Sequence, residues 1–242
     1  MSILAKTPTG PTEKLRKKKI IKQTELLAQE IGEWQHKLYA ECKKSILVVL
    51  QGVDASGKDG TVKNVFRNCN PSGIDVYAFK KPSEEEFAHD FLWRVHKVTP
   101  RKGNIMVFNR SHYEDILIQR VHHWITEEHV VKRMKAINAF EELLAFDNQT
   151  TILKFYLHIS KEEQEKNLQE RIDDPAKRWK HNDNDWEERK HWDKYMECYE
   201  YVIQQSEISW HIIPADKAYY RNYLIAQTVL KTLKEMNPVV PE

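Results

Sequence analysis

The sequence has 242 residues, 40% hydrophobic and 31% charged, with a formal net charge of +2. That length suits one domain with a sizeable core, and the near-neutral balance argues against a general nucleic-acid binder, so any polyanion site must come from local clustering. No run approaches the ~18 apolar residues that span a bilayer, residues 1–11 lack the apolar core of a secretory signal, and Cys42, Cys69 and Cys198 form no CxxC pair. No membrane partner, disulfide framework or zinc site is therefore expected, and a soluble, cytoplasmic protein is.

Residues 12–43 are predicted to form one long helix, because Ile20, Leu27, Ile31, Trp34 and Leu38 recur at helical spacing. The basic run from Lys14 through Lys22 near its start reads as a solvated face. Five β-branched runs follow, Ser45–Leu50, Ile74–Phe79, Ile105–Phe108, Thr151–His158 and Ser209–Ile213, separated by helical stretches. Their apolar character is nearly continuous rather than alternating, as in a parallel sheet covered on both faces. Ser83 with Glu86, Ser111 with Glu114, and Ser160 with Glu163 each match a capping box at a helix start. Strand alternating with helix gives an α/β fold with right-handed crossovers.

The helix beginning near Lys161 must stop around Asp173 or Asp174, since Pro175 cannot continue it. A basic stretch follows, holding Arg171, Lys177, Arg178, Lys180 and His181, and Asp185 with Glu188 reads as the cap of another long helix. Residues 171–194 are thus a candidate lid within a single P-loop domain spanning 1–242.

Gly52-Val-Asp-Ala-Ser-Gly-Lys58 lies between the first strand and a helix, the context a GxxxxGK phosphate loop requires. Gly52, Gly57 and Gly60 are three of only seven glycines in the chain, and they let the backbone turn tightly and aim N–H groups at one anion. Ala55, Ser56 and Thr61 complete the predicted phosphate cradle, and Lys58 adds a point charge for terminal phosphates. The loop departs from the common pattern in two places. Asp59 stands where Ser or Thr usually follows the lysine, and Asp54 puts a second carboxylate inside the loop. A carboxylate beside bound phosphate is unfavourable unless a cation lies between them, which makes Asp54 the candidate metal ligand or acceptor-orienting group. Asp59 reads as a first-turn residue favoured by the helix dipole.

The second constellation, Asn109-Arg-Ser-His-Tyr-Glu-Asp115, closes the third strand. Ligands of open α/β sheets lie beyond the strand carboxyl ends, so it should face the phosphate loop. Arg110 then suits a clamp on a transferring phosphoryl group, while Glu114 reads either as a capping partner or as a group facing metal or acceptor. Lys80 and Lys81 end the second strand on the same sheet edge, and Arg94 follows one helix later. A repeating polyanion needs cations spaced along such a groove. His122, His123 and His211 lack metal-site spacing, and Trp179, Trp186, Trp192 and Trp210 read as packing residues. An ATP-dependent nucleoside monophosphate kinase, and a nucleotide-binding switch or polyanion-binding module, remain open as alternatives.

Six segments occur in a characteristic order: Gly52–Gly60, Ser83–Arg94, Phe108–Asp115, Leu157–Gln164, Arg171–Lys180 and Pro214–Lys217. From about residue 15 to 235 the chain resembles the polyphosphate kinase 2 family of polyphosphate-dependent nucleotide phosphotransferases. The resemblance implies a thymidylate kinase-like parallel sheet flanked by helices with a helical lid, Mg²⁺, and a basic tunnel for inorganic polyphosphate. It also implies nucleoside mono- and diphosphates as partners, and a homo-oligomer, dimer or tetramer. By motif match Asp54, Lys58 and Arg110 are the catalytic positions, Asn109 and Glu114 lie by the acceptor or metal, and Lys80, Lys81, Arg94, Arg171, Arg178 and Lys180 are phosphate contacts. Many members carry Asp where Asn109 stands and Trp where His112 stands. The variant here is similar to the subgroup accepting both mono- and diphosphates. One fewer carboxylate at 109 throws more of the metal-binding burden on Asp54.

Overall fold

The computed structural model describes residues 2–14 and 16–241. The chain opens with a one-turn helix, α1 (Ile3–Lys6), capped by the Ser2 hydroxyl. The first long helix, α2 (Lys17–Glu41), starts later than the predicted 12–43, of which residue 15 lies outside the described residues. Its buried stripe is Ile20, Thr24, Ala28, Ile31, Gln35 and Leu38. Leu27 and Trp34, expected on that stripe, lie only partly buried at its margin. Gln35 is buried with its Oε1 accepting the Asn70 N–H at 2.9 Å, while its Nε2 has no partner among the described residues. Cys42, in the left-handed region at φ 53°, ends the helix.

The strand–helix alternation then unfolds as expected: β1 (Ser45–Gln51), α3 (Lys58–Val65), β2 (Ile74–Ala78), α4 (Glu84–Phe87), α5 (Trp93–His96) and β3 (Ile105–Asn109). Two helices, α6 (Glu114–Val121) and α7 (Glu127–Asp147), lead to β4 (Thr150–His158) and α8 (Lys161–Asp173). The predicted long helix after it is broken at Lys190 and His191 into α9 (Asp183–Arg189) and α10 (Trp192–Gln205), followed by β5 (Trp210–Pro214) and α11 (Ala218–Met236). All five strands are parallel, in the order β2-β3-β1-β4-β5. This is the arrangement of P-loop kinases, with the phosphate loop leaving the central strand.

Burial follows position in the sheet. All seven residues of β1 are buried, and β3 and β4 nearly so, whereas the edge strands β2 and β5 keep partly exposed residues. Continuous apolar runs thus mark the three central strands, where helices cover both faces. Helices α2 and α11 pack along each other and on α3, while α7 lies against β4. Leu38, fully buried in α2, would cost about 2–5 kcal/mol on truncation to Ala.

The three predicted capping boxes differ in outcome. Ser83 and Glu86 make the full reciprocal pair. Ser160 accepts from the Glu163 N–H, but its own N–H goes to Asp216 Oδ1 at 2.7 Å instead of to Glu163. At Ser111 no box forms. Its hydroxyl accepts from the Tyr113 N–H and the Gln51 amide, and α6 begins only at Glu114. Asp185 is likewise not a cap; Asn182 caps α9.

Candidate active site

The phosphate loop leaves β1 and turns into α3 at the carboxyl edge of the sheet. Gly57, the residue preceding α3, has φ +98°, and a Cβ there would collide with the guanidinium of Arg221. Ala55 and Arg110, neither of them glycine, also sit at positive φ (60° and 63°), a backbone cost typical of functional loops. The Arg110 N–H reaches the Leu50 carbonyl at 3.1 Å, which lashes the end of β3 to β1. Beneath it, buried Lys154 of β4 donates to Glu141 at 2.6 Å and to the Tyr113 hydroxyl at 2.8 Å, and His112 Nε2 lies 3.2 Å from the same carboxylate. That network fixes the base of the second motif.

Arg110 pairs directly with Asp54 across the mouth of the loop. Burial favours the neutral acid of Asp54, but Arg110 and Lys58 outweigh it and hold the carboxyl below its ordinary range. Lys58 is buried. Its Nζ arches back to donate to the Gly52 carbonyl at 2.6 Å and the Val53 carbonyl at 3.1 Å. Burial and the nearby Arg110 charge lower its pKa to about 8. Glu114, which two readings contested, is a cleft residue rather than a capping partner. Burial raises its pKa despite the attraction of Arg110 and Lys58.

Two compartments meet at Asp54 and Arg110. The larger, about 700 Å³, is lined by eight cations (Lys58, Lys80, Lys81, Arg110, Arg171, Lys177, Lys180, Arg221) against four carboxylates (Asp54, Asp59, Glu170, Asp185). The smaller, about 120 Å³, has Glu114, Asp185 and Glu188 with the aromatic walls Trp192, Tyr195 and Tyr199. No histidine lines either one.

Helix α8 holds the loop from outside: Gln164 donates to the Asp54 carbonyl and Asn167 to the Ala55 carbonyl, both at 3.1 Å. Asp59 is more than a first-turn acid. Its two oxygens accept from Asn109 at 2.7 Å and from Lys180 at 2.6 Å, joining both motifs to the basic stretch after α8. Those partners keep its pKa low against the opposing effect of burial. Within the stretch, Arg171 pairs with Asp185 at 2.6 Å and Lys177 with Glu170 at 2.7 Å, so most of its charges are neutralised locally.

Four predicted phosphate contacts line neither compartment. Arg94 is buried, donating to the Lys80 carbonyl at 2.9 Å and to Asp115 at 3.1 Å. Its charge is consumed in tying the Lys80 loop to the second motif. Thr61 is buried with its hydroxyl on Arg221 and the Gly57 carbonyl. Ser56 is buried, its N–H on the Val53 carbonyl and its hydroxyl without a partner among the described residues. Arg178 is exposed and turns to the Ile172 carbonyl. Gly52 lines the smaller compartment, while Ala55, Gly57, Gly60, Lys80, Lys81, Arg171 and Lys180 line the larger. Trp179, read as a packing residue, is 78% exposed and lines the larger one.

Sequence reasoning missed Arg221, Asn167 and the tyrosines, none of which belongs to a spacing pattern, and it took Asp185 for a helix cap where the structure puts it in the cleft. Gln164 did lie within the Leu157–Gln164 segment, and its amide-bearing side chain was the signal available.

A P-loop on the central strand of a 2-3-1-4-5 parallel sheet, facing an arginine from the neighbouring strand, defines a P-loop phosphotransferase scaffold. A family model described as Polyphosphate kinase 2 (PPK2) matches residues 14–241, and the chain belongs to that family. It is 47% identical over 220 residues to an "AMP/ADP-polyphosphate phosphotransferase" of Meiothermus ruber, covering 90% of this chain and 82% of the relative. It is 38% identical to an "ADP-polyphosphate phosphotransferase" of Rhodopseudomonas palustris, with 88% and 79% covered. Among solved structures, polyphosphate kinase 2 from Arthrobacter aurescens TC1 superposes with a TM-score of 0.95 at 38% identity, covering 100% of this chain and 88% of that one. No helix among the described residues is long and apolar enough to cross a membrane.

Proposed function

We propose that this protein transfers phosphoryl groups from inorganic polyphosphate to nucleoside mono- and diphosphates, and in reverse. The observation that carries this reading is the pairing of Asp54 with Arg110 at the junction of a long cation-lined cleft and an aromatic-walled compartment. A polyanion longer than a nucleotide suits the first, and a nucleotide acceptor suits the second. The relatives' names support the same substrates.

In the forward step, an anionic oxygen on the terminal phosphate of the acceptor attacks the last phosphorus of the polyphosphate. The new P–O bond forms as the bond to the next bridging oxygen breaks, and that oxygen keeps the electron pair on a chain one phosphate shorter. The nucleophile is already an oxyanion at neutral pH, so no general base is required. A cleft without histidine is consistent with that. Catalysis is then mostly positioning and charge neutralisation. Arg110 forks onto the transferring group, Lys58 leaves the loop carbonyls for a phosphate oxygen, and the loop amides cradle the donor. Asp54 keeps Arg110 aimed. The segment 171–194 closes over the donor as a lid, with Lys180 and Arg171 exchanging their carboxylate partners for phosphates.

Mg²⁺ fits the donor set. No group of three or more metal-ligating side chains is gathered among the described residues, but Asp54 offers hard oxygen, with Glu114 and Asp185 lining the same compartment. A site of one or two carboxylates completed by phosphates and water is the kind Mg²⁺ accepts. When bound, the ion would neutralise phosphate charge next to those carboxylates.

The test is incubation of the purified protein with Mg²⁺ and either ADP or AMP, with polyphosphate or (for AMP) ATP as donor, followed by assay of ATP and ADP and by calorimetric measurement of nucleotide binding. Transfer to both acceptors is expected. Transfer to AMP from ATP but none from polyphosphate would establish the ordinary nucleotide-kinase reading instead, and nucleotide binding without any transfer would establish a switch.

A further inference from the structure

Arg221, in the first turn of α11, is a cation without a counter-ion. It is only 5% exposed, and no carboxylate among the described residues pairs with it. Its Nε donates to the Thr61 hydroxyl at 3.0 Å and its Nη1 to the Ser56 carbonyl at 3.1 Å. Nη2 has no acceptor among the described residues, and lies against Gly57 and Gly60 where the loop enters α3. The group lines the larger compartment together with Ala218. Burial, unopposed by any carboxylate, lowers its pKa to about 10.

Each of these facts points the same way. Burying a charge is costly unless an opposite charge meets it; the buried cations away from the phosphate loop, Arg94 and Lys154, meet Asp115 and Glu141, and only Lys58, in the loop itself, shares with Arg221 a set of neutral acceptors. Arg221 has only two neutral acceptors, and it has an unused N–H edge on a cleft built for phosphates. Gly57 and Gly60 leave room for the guanidinium to approach the loop backbone from the α11 side. Lys80 and Lys81 enter the cleft from the end of β2, at the opposite edge of the sheet from β5, which precedes α11.

We propose that Arg221 is a polyphosphate-binding residue, taking a phosphate of the donor chain where it runs past the phosphate loop toward α11. The bound chain then spans the cleft from Lys80 and Lys81, over Lys58, to Arg221. This rests on the polyphosphate reading above, and it assigns a contact on the side of the loop away from the Lys80 groove.

The experiment measures dissociation constants by calorimetry for long-chain polyphosphate alone and for ADP alone, with the unliganded melting temperature, in the wild type and in Arg221→Gln. Loss of a charge-assisted hydrogen bond should weaken polyphosphate about tenfold or more. ADP should change less than about twofold, and the salt dependence of polyphosphate binding should become shallower by about one counterion. Removing a lone buried cation should leave the unliganded melting temperature unchanged or higher. Polyphosphate affinity within twofold of wild type would overturn the assignment. So would an equal loss for both ligands with a lower melting temperature, which would make Arg221 only a prop for the loop. If Arg221→Gln does not fold, the same ratio of affinities is read on Arg221→Lys, where a loss confined to polyphosphate supports the contact and an equal loss overturns it. Failure of the functional reading is separate, because it appears as absent polyphosphate-dependent transfer in the wild type.

Discussion

Binding of polyphosphate should draw a proton onto Lys58 from solution at alkaline pH. The Lys58 amine is buried beneath its own loop, hydrogen-bonded to two neutral carbonyls, and burial together with Arg110 brings its pKa from 10.5 to about 8. That shift corresponds to roughly 3 kcal/mol of unfavourable charging in the empty site. A phosphate oxygen beside the amine removes most of it. Titration then sets the size of the effect: about 0.1 proton taken up per site at pH 7, about half at pH 8 and about 0.9 at pH 9. Terminal phosphates are fully ionised near pH 9 and contribute little there. The assay is calorimetric titration with tripolyphosphate at three pH values, each in two buffers of different ionisation enthalpy. Affinity should fall about tenfold per pH unit above 8. In the ligand-free protein the sign is opposite. Below pH 8 folded and unfolded chains both carry the proton and the full burial cost applies; between about 8 and 10.5 the unfolded chain holds more protons, so this group's contribution to stability rises with pH. No proton uptake at pH 9, or equal uptake in Lys58→Met, would refute the reasoning.

Asp54→Asn should retain the fold yet lose on the order of 3–4 kcal/mol of transition-state stabilisation, hundreds-fold in turnover; more than half the wild-type rate at saturating Mg²⁺ would contradict its role. Arg94→Met should lower stability by about 3–5 kcal/mol in denaturant unfolding, because Asp115 is left buried and unpaired. If the melting behaviour held and only the polyphosphate KM rose, Arg94 would be a phosphate contact after all. Polyphosphate with nucleotide should slow proteolytic cleavage near Pro175, and equal cleavage with and without ligands would remove the lid from the mechanism.

Elements that announce themselves by local pattern were legible in the sequence, and pairings across the chain were not. The five strands are found within a residue or two of their expected bounds, since β-branched runs bounded by turns report burial on both faces. The phosphate loop was legible for a similar reason: its glycines and lysine serve one short backbone shape. What failed was orientation. Lys58 and Arg94 are cations that sequence alone puts at a surface, yet one folds back onto carbonyls 5 and 6 residues away and the other onto a carboxylate 21 residues away. Capping boxes failed where a distant partner competed better, as Asp216 does for the Ser160 N–H. Arg221 was invisible because its meaning lies in what it lacks, a counter-ion, and only packing reveals that.

Asp59 and Asn109 are chemically one choice. Where a hydroxyl would commonly follow the P-loop lysine, the Asp59 carboxylate is held by Asn109 on one oxygen and Lys180 on the other. A carboxylate at 109 would stand where the Asn109 amide now donates at 2.7 Å, and two like charges at that separation disfavour ionisation of both. The amide resolves the conflict by donating a hydrogen bond. Asp59 is then free to stay ionised and hold a lysine of the basic stretch over the loop before any phosphate arrives. The cost is one fewer oxygen anion for a metal, which on the proposed reading would leave Asp54 as the loop's own metal-facing carboxylate. On the proposed mechanism Arg110 would serve two partners in turn, its Asp54 pair as found here and the transferring phosphoryl group once substrates bind. Such an exchange would account for a residue at φ +63°, pinned to the Leu50 carbonyl, carrying the side chain at the junction of the two compartments.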